Sequence, residues 1–577
     1  MRRKSKSLKI KMLRGIWRNL SRKRKRQITF LPILISLAAI FELFSIASII
    51  PFLSLLSNPN KYNDFYLIKN IQNSLPIFAA IDPFIFVIFS FLFCITLSAI
   101  LRLITISASN YFAAAIGSDF SNKAYRLSLN QPYRVHISRN SSEIISSIIL
   151  NTDRTVFIVF ALLQFTASIT LGLALIIGLI LINWVLSLII AFIFSFLYLL
   201  LGYLLKKRIG RIDKKKAKLT IMQTKALQEG LGSIRDIILD NSQKFYQNIF
   251  TDNDKPLRFI NATSELITSS PRYIFELITI YIIVCICFFY NSQGESSNIV
   301  PLIGSILLCL QRLLPVFQNV YSCWVNISIN TNSVLNLIKL LEQPEKKVFY
   351  NTKTFPLTNE IKLSNISFSY FKNSKKIIQD FNLTIKKGER IGIIGKSGSG
   401  KSTIADLIMG LLEPSKGVIE IDGLNLHKNK LYKKENWFSN IAHVPQEICF
   451  SDTNIAENIA FGIPRSKIDN KRLIKAIIAS RLSDFINNVE EAYNIKVGER
   501  GVQLSGGQRQ RIGIARAIYK GGKILIMDEA TSALDTKTES EIMRTIDELS
   551  SDLTIIIITH RLSTLKSCER VIEIQKI

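Results

Sequence analysis

Gly395-Lys396-Ser397-Gly398-Ser399-Gly400-Lys401-Ser402 has the form G-x-x-x-x-G-K-S, and its flanks decide how the chain is read. Before it runs Arg390-Ile391-Gly392-Ile393-Ile394, an apolar stretch that reads as a buried strand. After it runs Thr403-Ile404-Ala405-Asp406-Leu407-Ile408-Met409-Gly410, which reads as a helix. Strand, glycine-rich loop and helix in that order are the context a P-loop requires. Glycines let the backbone curl so that successive N–H groups converge on phosphate oxygens. The helix N-terminus adds partial positive charge. Lys401 is placed to reach the β- and γ-phosphates of ATP, and the Ser402 hydroxyl to ligate Mg²⁺. Gly395 to Ser402, with Thr403 opening the helix, are thus the candidate nucleotide site.

A second element supports that reading. Lys523-Ile524-Leu525-Ile526-Met527-Asp528-Glu529 is an apolar strand ending in two acids, about 130 residues after the P-loop. Asp528 is placed to hold Mg²⁺ through water, and Glu529 to polarise an attacking water. Leu504-Ser505-Gly506-Gly507-Gln508 stands before a helix, Arg509 to Ala517, and offers a second anion site at its N-terminus. From about residue 358 short β runs alternate with helices, the pattern of an α/β domain.

The first half has another character. The chain of 577 residues is too long for one core, 48% hydrophobic, and carries a net charge of +30. Its mean hydropathy of +0.25 is high for a soluble protein. Six apolar stretches, 28–56, 82–105, 156–180, 184–205, 271–290 and 299–320, are each near or above the ~20 residues that cross a bilayer. Residues 1–26 hold thirteen Lys/Arg and no acid, a basic lead-in suited to an anionic membrane surface. The apolar run that follows is too long for the core of a cleaved signal peptide.

Loop charges give the orientation. The connections near 181–183 and over 291–298 contain no Lys or Arg, and 57–81 contains only Lys61 and Lys69. The N-terminus, 106–155 and 206–270 are rich in both, so the N-terminus and the α/β domain are expected to be cytoplasmic. This distribution accounts for much of the charge without a nucleic-acid partner. The long loops 106–155 and 206–270 are expected to be helical extensions, with bends near Pro132-Tyr133 and Gly230 to Ile234 forming short transverse helices. The seven cysteines include no metal-like spacing.

Taken together, the chain resembles the ATP-binding cassette transporters. In that family Leu504–Gln508 matches the signature motif, and Gln446, in Val444-Pro445-Gln446-Glu447, the Q-loop glutamine that touches Mg²⁺. Ser532-Ala533-Leu534-Asp535 matches the D-loop, His560 the switch histidine and Tyr370 the adenine-stacking aromatic. The resemblance implies catalysis by Glu529, His560 and Gln446, and Mg²⁺ held by Ser402, Gln446 and Asp528. It also implies a homodimer in which the P-loop of one copy and Ser505, Gly506, Gly507, Gln508 and Asp535 of the other enclose ATP. The fold class expected is a membrane all-α domain of six transmembrane helices fused to an α/β P-loop NTPase domain. Its parts are a lead-in at 1–26, a membrane domain at 27–330, a linker at 331–357 and the cassette at 358–577.

Charged residues inside spans are candidates for cargo recognition. Glu42 and Arg312 lie about 20 Å into their spans at helical rise, and Arg102, Arg272 and Glu276 nearer the cytoplasmic ends. A cavity with Arg102, Arg272, Arg312 and Glu42 would suit an anionic head. Patterns around Phe41-Glu42-Leu43-Phe44, Pro271-Arg272-Tyr273 and Arg312-Leu313-Leu314-Pro315 are similar to the family of lipid-linked-oligosaccharide flippases of bacterial protein N-glycosylation. That resemblance implies a pyrophosphate-linked glycolipid cargo and an external helix, here at 62–74. The reading is an ATP-driven exporter or flippase of a bacterial inner membrane. Alternatives are an exporter of drugs, peptides or simple lipids, a soluble mechanical ATPase, and an ATP-gated channel.

Overall fold

In a computed structural model of the protein the chain divides into two compact units: residues 1–131 with 139–346, and residues 132–138 with 347–577. The residues described are 2–48, 51, 52, 55, 82–182, 184–292, 299–344, 355, 357–371, 374–429, 434–486, 489–498, 501–531, 533–549, 552–561 and 565–575. The expected external helix at 62–74 lies outside them.

Among the described residues the first unit is helical. Its elements are α1 (Arg2–Asn19), α2 (Arg22–Ala47) and α3 (Pro83–Leu129), then, after the short α4 (Tyr133–Ser138) of the second unit, α5 (Ser141–Ile148), α6 (Leu150–Ile182), α7 (Trp184–Gly232), α8 (Ile234–Leu239), α9 (Gln243–Ser292), α10 (Ile299–Ile329) and α11 (Thr331–Leu341). The apolar stretches 82–105, 156–180, 184–205, 271–290 and 299–320 fall in α3, α6, α7, α9 and α10, and the first, as far as Ala47, in α2. By length and composition the segments Arg22–Ser45, Phe84–Leu129 and Ser141–Gly178 are able to cross a membrane. α3, α7 and α9 run 47, 49 and 50 residues, so the basic loops 106–155 and 206–270 are largely their helical continuations. α3 begins where Asp82 accepts from the N–H of Phe84 at 2.8 Å and Pro83 takes the first turn.

At the end of this unit Met12, Ile16 and Leu20 of α1 pack with Phe112, Ile116 and Phe120 of α3 and with Val334, Leu337 and Ile338 of α11. A Cβ on Gly15 would stand 2.7 Å from Ile338 Cδ1, so glycine at that position lets the Ile338 side chain lie directly against α1. The stretch expected as a linker, 331–357, therefore opens with a packed helix. Its polar residues alternate with apolar ones at helical spacing, which buries Val334, Leu337, Ile338, Leu340 and Leu341.

The second unit is an α/β domain. A parallel sheet has the order β6 (Ile441–Val444), β7 (Ile524–Asp528), β8 (Thr554–Ile558), β3 (Arg390–Gly395) and β9 (Arg570–Ile574). An antiparallel sheet has the order β2 (Ile378–Lys386), β1 (Glu360–Phe368), β4 (Lys416–Ile421) and β5 (Leu424–Asn425). Strands covered on both faces read as unbroken apolar runs. Ile391, Ile393, Ile526, Ile556 and Ile558 accordingly join Ile404, Leu407 and Ile408 of α12 (Lys401–Ile408) in one core. A separate helical lobe, with α13 (Asn470–Ala479) and α14 (Gly506–Lys520), has its own core of Ile455, Leu473, Leu504, Ile512 and Tyr519. α15 (Thr536–Leu549) follows β7. The short α4 groups with this unit. Its Arg134 Nη2 donates to the Tyr370 carbonyl at 2.8 Å, so a short helix stands at the expected bend near Pro132-Tyr133 and touches the α/β domain.

Candidate functional site

Parallel order brings the C-terminal ends of β3, β6, β7 and β8 to one edge, where open α/β sheets bind ligands. The P-loop leaves β3 at Gly395, φ +152°, where a Cβ would stand 2.5 Å from the Ile574 carbonyl oxygen. Gly400, φ +98°, begins α12 with no side-chain cap, so the first N–H groups of that helix point into the loop. Lys401 is buried and its Nζ donates to the carbonyls of Gly395 at 2.8 Å and Lys396 at 3.2 Å. The Ser399 hydroxyl is buried with no hydrogen-bond partner. A backbone cradle, an inward lysine and an orphaned hydroxyl fit a nucleotide phosphate chain. Tyr370 sits edge-on to Phe368, with centroids 5.1 Å apart, and its hydroxyl lies 3.2 Å from Thr403 Oγ1 in the first turn of α12.

Glu529 occupies the centre of the edge. Its backbone, φ +48°, is left-handed, a conformation costing about 1–3 kcal/mol for a residue with a side chain. A 2.9 Å bond from its N–H to the Ile558 carbonyl ties it to β8. The turn aims the carboxylate between two loops: Gln446 Nε2 donates to Oε2 at 2.8 Å, and His560 Nε2 lies 3.1 Å from Oε1. Three residues from separate parts of the sequence thus form one cluster. Asp528, just before it, is buried. Burial and then the charge of Asp528 raise the carboxyl of Asp406, on α12, to about 6. Asp406 was not among the expected site residues, since an acid within a helical run gives no sign of its neighbour. Ser402, Gln446 and Asp528 offer the oxygen donors that Mg²⁺ takes.

The signature segment lies on the helical lobe. Ser505 caps α14 through the Gln508 N–H at 3.2 Å, and the Gln508 side chain accepts from the Ser505 N–H at 2.8 Å, closing a capping box. Gly506 faces Ala533, and the Ala533 N–H donates to Gln510 Oε1 at 2.9 Å. The side chain of Asp535 accepts from the Thr538 N–H at 3.0 Å, at the start of α15. Ser505, Gly506, Gly507 and Gln508 therefore stand at the surface of a lobe whose core is separate from that under the P-loop. Ser532 lies outside the described residues.

The first unit contains a cavity of about 750 Å³ lined by Glu42, Arg102, Gln164, Gln311, Asn319 and Asn326 among apolar neighbours. Glu42 is buried and accepts from the Ser98 hydroxyl. Arg272 is exposed and pairs with Glu276, one turn along α9, at 2.8 Å. It is absent from the described lining. The side chain of Arg312 lies outside the described residues. The four amides were missed in the sequence, because uncharged polar residues barely lower the hydropathy of a span.

Residues 27–314 match the model of the ABC transporter transmembrane region, and residues 378–532 that of the ABC transporter itself. The alpha-hemolysin translocation ATP-binding protein HlyB of Escherichia coli is 39% identical over 290 residues, 49% of this chain and 39% of that protein. The chain thus spans well under half the length of that relative. The ATP-dependent lipid A-core flippase of Coxiella burnetii is 28% identical over 480 residues, 81% of this chain and 78% of that protein. Among solved structures, that of a bacterial Atm1-family ABC exporter with ATP bound aligns over 96% of this chain and 94% of that chain, with a TM-score of 0.74 and 21% identity.

Proposed function

Because the chain belongs to the ABC transporter family, with a transmembrane region and an ATP-binding domain in one polypeptide, we propose that it hydrolyses ATP to move a lipid-linked saccharide across a bacterial inner membrane. The working unit is a homodimer with its N-terminus and cassettes in the cytoplasm. The observation that carries the reading is the Glu529 carboxylate, held between Gln446 and His560 at the sheet edge that also bears the P-loop.

The chemistry follows from that geometry. Backbone N–H groups of residues 395–403 and the Lys401 ammonium gather the phosphates, and Tyr370 offers its ring to the adenine. Ser402, Gln446 and Asp528 would hold Mg²⁺, which would supply positive charge against that of the phosphates. Glu529 accepts a hydrogen bond from the attacking water, and His560 donates to the γ-phosphate. One cassette leaves the outer face of the nucleotide open. Ser505, Gly506, Gly507 and Gln508 of a second copy, with Asp535 beside them, complete the cage. Closure on ATP and opening after hydrolysis bias two states of the membrane half.

The cargo is read from the membrane cavity. Arg102 suits a phosphate or pyrophosphate, while Glu42 and the amides Gln164, Gln311, Asn319 and Asn326 suit hydroxyl-rich groups. The relatives named as lipid A-core flippases support a glycolipid. A second reading, export of a peptide, drug or simple lipid, draws on the 39% identity over 290 residues to the hemolysin translocation protein.

A reconstituted assay with a fluorescent polyprenyl-pyrophosphate-saccharide tests the choice. Cargo should cross only with ATP, and Arg102→Ala should stop it while sparing basal hydrolysis. Transport of the labelled lipid at the wild-type rate by Arg102→Ala would eliminate the arginine from the clamp. No crossing by the wild type would remove the saccharide reading.

A further inference from the structure

One face of α7 carries a stripe that the proposed cycle does not use. Leu200, Leu204, Arg208, Arg211 and Lys215 recur at spacings of four, four, three and four, which keeps them on one side of a helix. All five are exposed. The stripe changes from apolar to basic just past Leu205, where the fourth apolar run ends. Beside its basic part lies a slot of about 500 Å³, lined by Arg208, Arg211, Lys215, Ile212 and, from α9, Ile260. Ile212 is 8% exposed and forms an apolar floor.

Among the described residues none of the three cations enters an ion pair. Other cations of the same unit are matched, such as Arg24 with Asp119 and Arg258 with Asp254. Depth is the second consideration. At 1.5 Å per residue Arg208 and Arg211 stand about 4.5 and 9 Å beyond Leu205. A headgroup layer is roughly 5–7 Å thick on each side of the hydrocarbon core. The Arg208 guanidinium lies within that layer, the Arg211 side chain leans back toward it along the helix, and each fork donates to two phosphate oxygens. Leu200 and Leu204 continue the same line into the acyl region.

We propose that this slot is a binding site for the phosphate of a lipid in the cytoplasmic leaflet, with the chain of that lipid lying along Leu200 and Leu204. The proposal rests on the membrane placement of α7 and not on the identity of the cargo. The shared chemistry is a phosphate ester on an apolar tail, whose source is either a bulk anionic phospholipid or a polyprenyl-pyrophosphate cargo awaiting entry.

The full-length chain in neutral maltoside detergent is titrated with dioleoyl phosphatidylglycerol, undecaprenyl pyrophosphate and inorganic pyrophosphate. Two variants of equal charge loss are compared, Arg208→Gln/Arg211→Gln/Lys215→Gln and Lys206→Gln/Lys207→Gln/Lys214→Gln. The first should weaken binding of at least one lipid by about tenfold or more, since it removes the three cations that face the phosphate. The second should change it by less than about threefold, because its residues leave the slot intact. A loss confined to phosphatidylglycerol assigns the site to bulk lipid, and one confined to undecaprenyl pyrophosphate to cargo. Inorganic pyrophosphate should bind far more weakly than either, lacking the tail. Wild-type lipid affinity in the slot variant, equal losses in both variants, or pyrophosphate binding as tight as lipid would each overturn the proposal. Nucleotide binding by both variants checks their folding. The titration needs no turnover, so it stands apart from any failure of the transport reading.

Discussion

The guanidinium of Arg134 is fastened to the backbone of Tyr370, its Nη2 and Nε donating to the carbonyl oxygen at 2.8 and 3.1 Å. Arg134 lies on α4, which follows the long second span helix after only three residues. Tyr370 in turn reaches Thr403 of the nucleotide loop. A movement of the Tyr370 segment is therefore felt directly by a helix covalently joined to a span. Arg134→Ala should leave ATP affinity close to wild type and reduce the cargo-stimulated part of hydrolysis by about tenfold, the equivalent of one charge-assisted hydrogen bond of about 1.4 kcal/mol. Arg134→Lys should recover only part, since an ammonium lacks the fork. ATPase rates with and without lipid cargo measure both.

Glu529→Gln replaces the proposed base by an amide of the same shape. The amide has one acceptor oxygen where the carboxylate has two, so one of the contacts to Gln446 and His560 weakens while the turn at φ +48° stays. Hydrolysis should fall by about 10²–10⁴-fold, the usual contribution of a positioned base. Nucleotide should still bind, and the ATP-bound protein should accumulate as a dimer in light scattering. A monomer under those conditions contradicts the shared-nucleotide reading.

The nucleotide site was legible in the sequence because its residues act through backbone geometry, and backbone geometry demands particular residues. Gly395 and Gly400 mark positive φ, and the octet spacing gives the loop. Glu529, Gln446 and His560 were separable from background only through the family pattern; the sheet order that joins them is a tertiary fact. The membrane half was less readable. A charge in a span signals function but not direction. Arg102 lines the cavity whereas Arg272 meets Glu276, a pairing that the four-residue spacing already permits. Helix α11 was masked by its polar residues, although its apolar positions keep helical period.

Asp213 of α7 caps α11 from outside. Its carboxylate accepts from the Asn332 N–H at 3.0 Å and from the Asn332 side-chain amide at 2.9 Å, where Asn330 supplies no cap of its own. Arg154 fastens the next residue, Ser333, at 2.8 Å. Asp213→Ala should destabilise the membrane unit by about 1–2 kcal/mol, the range for a lost N-cap. Asp213→Asn keeps an acceptor and should do much less. Hydrogen exchange at amides 332–334 should quicken in the alanine variant only; equal protection in all three proteins would refute the cap.

Asp406 gives the cassette a pH dependence of definite sign. Burial, then the Asp528 charge, lift its carboxyl to about 6, above the unfolded value near 4. Between those values the folded state holds a proton that the unfolded state has released. Stability from this group is therefore greatest below about pH 4 and lost as pH rises to about 6. At pH 7.5 the charged Asp406 is a liability of about 1–2 kcal/mol, after discounting the shift for its partial exposure. Asp406→Asn should raise the melting temperature of the nucleotide-free protein at pH 7.5, and the gain should shrink on going to pH 5. Mg²⁺ with ATP should also narrow the difference, because a cation held by Asp528 cancels the charge that repels Asp406. A gain that is the same at both pH values would mean that the carboxyl titrates where an exposed one does.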